Sequence, residues 1–171
     1  GKFRLGYAHF AKKEFEAALP FFNAIKNQKH QYTATSNYYA AYIEFKNQDY
    51  DNALSDLSKI ENDETYKNLA SIMIASIYYK KKEDDKVIAY CEKIIGDKKT
   101  TGYDELYLLL AESYDNKKNY KNALGNYAKY TNDFKTKPSS EVQYRIGYSA
   151  YKMKDYETAI KNFKNVASVK D

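Results

Sequence analysis

Cysteine occurs once in the 171 residues, proline twice, glycine six times and tryptophan not at all. The lone thiol, Cys91, rules out a disulfide-stapled scaffold without deciding the compartment. Two prolines and six glycines supply too little turn chemistry for a β-sandwich or barrel, and they suit helices. No run of about 18 apolar residues occurs, so no membrane-spanning helix is expected. The chain opens on Gly1-Lys2-Phe3, with neither a leader pattern nor an initiator Met, and Gly1 reads as a cleavage scar. The expectation is therefore an excerpt of a longer protein. Arginine is scarce as well: Arg4 and Arg145 are the only two, and lysine supplies the rest of a net charge of +5. The lysines alternate with Asp, Glu and Asn, which describes a solvated helical surface, whereas a nucleic-acid stripe is denser and richer in Arg.

What is present is apolar and aromatic. Hydrophobic residues make up 43% and charged residues 30%, a balance that folds, and 20 residues are tyrosine. The stretch FRLGYAHFAKKEFEAAL (3–19) reappears as YRIGYSAYKMKDYETAI (144–160). An aromatic followed three residues later by Ala occurs at Phe15/Ala18, Tyr50/Ala53, Tyr120/Ala123 and Tyr156/Ala159. A further copy fills the gap with Asp84 and Val87, giving spacings of 35, 34, 36 and 36 residues. Five units result, at approximately 1–30, 31–64, 65–100, 101–136 and 137–171. Each reads as two amphipathic helices around a polar break: KKE, KNQD, KKED, NKKN or KMKD. Asp49, Asn119 and Asp155 stand where a side-chain oxygen caps the second helix. Pro20 is expected to kink the second helix of the first unit. Turns between units are expected at DKKTTGY (97–103) and FKTKPSS (134–140).

Two small columns set how the helices meet. The first helices offer Gly6, Ala41, Ala75, Ala111 and Gly147; the second offer Ala18, Ala53, Val87, Ala123 and Ala159. Small residues in register let two helix axes approach closely.

This pattern closely resembles the tetratricopeptide repeat over essentially the whole chain. The residues that carry it are Leu5-Gly6, Phe15, Ala18, Phe22 and Ile25 and their counterparts up to Ile146-Gly147, Tyr156, Ala159, Phe163 and Val166. The chain departs from the pattern at Asp84, and at Asn37, Ser71 and Gln143, where a bulky residue is expected. The resemblance implies an all-α fold, a right-handed superhelix of about five helix-turn-helix repeats. It implies a scaffold with no chemistry of its own, whose concave face, lined by the first helices, binds a partner peptide or protein segment. The Lys/Asn clamp that grips a C-terminal carboxylate in some relatives is absent, because Phe3, Tyr7, Tyr38 and Tyr42 stand in its columns. Lys- and Asn-rich arrays of this kind look similar to envelope proteins of Bacteroidetes-like bacteria, so the expected compartment is the periplasm or cell envelope, with the cytoplasm as the alternative.

No catalytic, metal or cofactor site is expected. His9 reads as a packed or hydrogen-bonded helix residue, His30 lies in a turn without a ligand partner, and Cys91 stands in the column of Phe22 as a small hydrophobe. The expected partner-binding residues are Arg4, Tyr7, Tyr38, Tyr42, Phe45, Tyr79, Glu112, Asp115, Tyr148 and Tyr151. Of these, Tyr7, Tyr42 and Tyr148 form a column read as projecting into the groove, and Glu112 with Asp115 offers a place for a basic residue. Two other readings stay open: a structural spacer with no ligand of its own, and a glycan- or nucleic-acid-binding solenoid that uses tyrosines as stacking platforms. Apolar surface expected around Ile160 and Phe163 points to end-to-end association or fraying of the last helix.

Overall fold

The computed structural model describes residues 1–96 and 103–168. Ten α-helices follow one another in pairs, with no strand among the described residues. They are α1 (Lys2–Ala11), α2 (Phe15–Asn23), α3 (Thr33–Lys46), α4 (Tyr50–Ser58), α5 (Lys67–Lys80), α6 (Asp84–Ile95), α7 (Asp104–Asn116), α8 (Tyr120–Ala128), α9 (Ser140–Lys152) and α10 (Tyr156–Ala167). A π-helical turn, Lys129–Asp133, prolongs α8. The inter-unit turn expected at 97–103 lies, apart from Tyr103, outside the described residues. The chain divides into two compact units, Gly1–Ile77 and Tyr78–Asp171, with the division falling inside α5.

Every second helix begins at the column of Phe15, Tyr50, Asp84, Tyr120 and Tyr156. The reason is local. Lys13, Gln48, Lys82, Lys118 and Lys154 all adopt a left-handed backbone, with φ between 58° and 63°. Each is followed by an N–H that reaches back five residues: Glu14 to His9, Asp49 to Glu44, Glu83 to Tyr78, Asn119 to Tyr114 and Asp155 to Ala150, at 2.8–2.9 Å. This is the Schellman closure of a helix C-terminus, here built five times without the glycine or asparagine that usually serves it. The residue after each left-handed position is the N-cap of the next helix. Asn119 and Asp155 accept from the backbone N–H of Asn122 and Thr158 as expected. Asp49 does not: its carboxylate takes the Asn52 side-chain amide at 2.7 Å instead. Ser139, not anticipated, caps α9 through Val142 N–H. Pro20 lies inside α2, which is nine residues long, the same as α4 and α8.

Within the first unit the core gathers Ala18, Phe22, Ala40 and Ile43, flanked by Phe3, Phe10, Phe15, Leu19 and Tyr39. Within the second it gathers Ala111, Ala123, Tyr127, Tyr130, Val142 and Ile146. Both small columns are buried. A Cβ placed on Gly6 would stand 2.9 Å from Phe21 Cβ, and one on Gly147 would stand 2.8 Å from the Phe163 ring. The departures from consensus have their own partners. Buried Asn37 donates to the carbonyls of Lys26 and Thr33, and Ser71 donates to that of Lys67.

Candidate interaction surface

The ten expected binding residues fall five in each compact unit: Arg4, Tyr7, Tyr38, Tyr42 and Phe45 in the first, Tyr79, Glu112, Asp115, Tyr148 and Tyr151 in the second.

In the first unit the aromatics form a continuous ladder. Tyr39, which the sequence reading passed over, is its hub, with ring centres 4.6 Å from Phe10, 5.3 Å from Phe22 and 5.8 Å from Tyr7. Tyr42 is half-buried and meets Phe10 at 5.4 Å and Phe15 at 6.1 Å. It therefore joins the second helix pair to the first as well as facing outward. Tyr38 stacks on Tyr66 at 5.0 Å, and Phe45 lies against Tyr50 at 6.0 Å. Tyr7 keeps 48% of its surface exposed, and Arg4 is exposed without an ion pair or hydrogen bond among the described residues.

In the second unit polar groups replace the aromatic ladder. Arg145 reaches Asp115 at 3.3 Å and the Asn116 side-chain oxygen at 3.2 Å. Asp115 also accepts from the Ser149 hydroxyl at 2.8 Å. Tyr79 donates to Glu112, and burial, then the Glu112 charge, pushes its hydroxyl up to about 12. Burial raises the Glu112 carboxyl too, while the Tyr79 hydrogen bond and Arg145 pull it back. Glu141, 80% exposed, stands 3.9 Å from the same guanidinium. Three carboxylates thus surround a single arginine. Tyr148 is 37% exposed, Tyr144 and Tyr151 each 54%. Tyr148 meets Tyr120 edge-on at 6.1 Å, the counterpart of the Phe15–Tyr42 contact.

One charged cluster was missed altogether. Lys26 bridges Glu44 at 3.3 Å and Asp56 at 2.5 Å, with both acids almost wholly buried and Lys59 on the other oxygen of Asp56. A signal existed: Glu44 shares a column with Tyr78 and Tyr114, and Asp56 shares one with Phe21 and Tyr90, so two acids occupy aromatic columns together. Burial, then Asp56, raises the Glu44 carboxyl, and Lys26 opposes the shift.

His9 donates from Nδ1 to the Glu14 carboxylate at 2.6 Å and stacks on Phe21. Cys91 is fully buried, and burial pushes its thiol up to about 12, so no thiolate nucleophile forms at neutral pH. Among the described residues no group of three His, Cys, Asp or Glu could hold a metal ion, and no helix is long and apolar enough to cross a membrane.

Residues 141–168 match the family model of the tetratricopeptide repeat. No curated protein sequence matches the chain. Solved structures do match in fold. MamA 41-end from Desulfovibrio magneticus RS-1 aligns at TM-score 0.78 with 16% identity, covering 99% of this chain and 93% of that one. A MamA RS-1 double mutant aligns at 0.78 with 17% identity, covering 98% and 91%. A further MamA crystal structure aligns at 0.78 with 18% identity, covering 98% and 88%. The fifth helix pair thus carries the sequence of a tetratricopeptide repeat, and the chain as a whole shares the all-α repeat fold of the MamA structures.

Proposed function

We propose that the chain is a non-enzymatic scaffold that binds an extended or helical segment of a partner protein along the face formed by its first helices. The observation that carries this reading is the row of exposed tyrosines on α9, Tyr144, Tyr148 and Tyr151, beside an acidic cluster that one arginine leaves under-neutralised. Exposed tyrosine offers apolar area plus a hydroxyl at small entropic cost, the composition of interface anchors. Glu141, exposed at the edge of this cluster, suits a partner segment that carries a basic residue next to its apolar anchors. On this reading Tyr7 and Tyr148 serve as anchors, while Tyr42 divides its surface between packing and partner.

Site-specific photocrosslinking in the cells that make the protein tests this. A benzophenone side chain at Tyr148 or Tyr7 is expected to capture a discrete protein partner, and one at Lys161 on the exposed side of α10 is expected to capture none. Capture only at Lys161, or equal capture at all three positions, contradicts the reading.

A further inference from the structure

The left-handed residues of the five intra-pair turns are all exposed. Glycine or asparagine would adopt that backbone with less strain. Asparagine stands close by at Asn116 and Asn119, yet the left-handed position itself is lysine in all three turns of the second compact unit: Lys82, Lys118 and Lys154. A residue kept against its backbone preference points to a use for its side chain. These three turns stand side by side. Asn116 donates to Asp84 at 3.0 Å and Lys117 meets Asp85 at 2.7 Å, joining the turn before α6 to the turn before α8. Tyr120 meets Tyr148 at 6.1 Å, joining the latter to the α9 side of the turn before α10.

Most acids of this edge are already engaged: Glu83 with Lys86, Asp84 with Asn116, Asp85 with Lys117, and Asp155 with the Thr158 N–H, while Glu157 is exposed. Lys82, Lys118, Lys121 and Lys154 are exposed and make no ion pair or side-chain hydrogen bond among the described residues. In the first unit the turn residues Lys13 and Gln48 stand beside Glu14, Glu16, Asp49 and Asp51, which cancel the charge. Gly1–Ile77 holds nine Lys and Arg against nine Asp and Glu; Tyr78–Asp171 holds nineteen against fourteen, so the whole net charge of +5 sits in the second unit. Met153, between Lys152 and Lys154, is 46% exposed. Its counterparts Lys12, Asn47, Lys81 and Lys117 are exposed too, so the turn itself leaves this position uncovered, with or without a following helix pair. We propose that this edge of the second unit lies on an anionic lipid bilayer, with Lys82, Lys118 and Lys154 against the headgroups and Met153 in the interfacial layer. Lysine is a compact, hydrated point charge that needs no bidentate fit, which suits a field of headgroups. Nucleic-acid binding calls for arginine, and Arg145 of this unit is held by Asp115. An exposed apolar side chain flanked by lysines has the amphipathic make-up of an interfacial contact. This surface is separate from the tyrosine row on α9 and does not depend on it.

The probe is a vesicle of phosphatidylcholine mixed with phosphatidylglycerol, sedimented with the intact chain at low ionic strength. Wild type is expected to bind it and to leave vesicles of phosphatidylcholine alone unbound. The triple variant Lys82→Gly, Lys118→Gly, Lys154→Gly is expected to bind about tenfold more weakly or worse, while melting no lower than wild type because glycine relieves the left-handed backbone. A variant with the same loss of charge in the first unit, Lys2→Gln, Lys12→Gln, Lys13→Gln, is expected to bind as wild type does. Inorganic phosphate at matched ionic strength is expected not to compete. No binding to the anionic vesicles, undiminished binding by the glycine variant, or an equal loss in the first-unit variant overturns the proposal. A glycine variant that melts below wild type overturns it by assigning the lysines to the fold. Competition by inorganic phosphate reassigns the edge to a free anion, and tighter binding to poly-L-glutamate than to the vesicles reassigns it to an acidic protein segment; either result overturns the proposal.

Discussion

Gly6 and Gly147 occupy one column, yet their surroundings differ in a way that separates two substitutions. The nearest atom to a new Cβ at Gly6 is Phe21 Cβ, fixed to the backbone; at Gly147 it is the end of the half-buried Phe163 ring, which can turn aside. Alanine at either position gains about 1 kcal/mol of helix propensity. Overpacking that cannot relax costs about 1–3 kcal/mol. Gly6→Ala is therefore expected to be less stable than Gly147→Ala by about 1 kcal/mol or more in denaturant titration; equal stabilities contradict the close approach of α1 and α2. Glu44 gives a second prediction at this scale. Its carboxyl is raised by burial and Asp56, with Lys26 opposing and Asp49 adding a small push upward. A folded value above the unfolded one means that the native state holds the proton more tightly, so the stability this group contributes is present at low pH and lost as pH rises through the folded value. Glu44→Gln is expected to gain on wild type as pH climbs above the ordinary carboxylate range. A relative loss would show that Lys26 outweighs burial.

The inter-helix turns are the element most economically repeated in the chain. Five left-handed residues recur at the period of the sequence, and none is glycine. A left-handed L-residue costs about 1–2 kcal/mol. Lys118→Gly is expected to raise stability by up to about 1 kcal/mol, the gain being reduced by the entropy glycine adds to the unfolded chain. A loss measured by thermal denaturation contradicts the strain. These turns also mark what the sequence made legible. The aromatic–x–x–Ala step located the start of four second helices, because core packing enforces it, the repeat spacing located the fifth at Asp84, and the polar breaks were visible as breaks. Their Schellman geometry was not, since lysine and glutamine do not announce a left-handed backbone. The missing cap at Asp49 was equally hidden, because Asn52 competes for its carboxylate only once α4 has formed.

At the scale of the molecule, the family fold was readable because each unit repeats its columns. The interaction surface was only partly so. Column position told which residues face the same way, but not how much surface a neighbour then covers. Tyr42 and Tyr148 share a column, and only the structure shows both lying on the first residue of the preceding second helix, Phe15 and Tyr120. Likewise Glu112 and Asp115 read as free acids until Arg145 and Tyr79 are seen on them. The central claim is that the exposed tyrosines of the first helices serve a partner and are dispensable for folding. The measurement that tests it most directly is the affinity of Tyr148→Ala for the segment captured by crosslinking, taken with its melting temperature. Partly exposed anchors of this kind carry about 2 kcal/mol at an interface, so binding weakened about tenfold or more with the melting temperature unchanged is the predicted result. Unchanged affinity, or a melting temperature that falls together with affinity, would assign Tyr148 to the packing and contradict the claim.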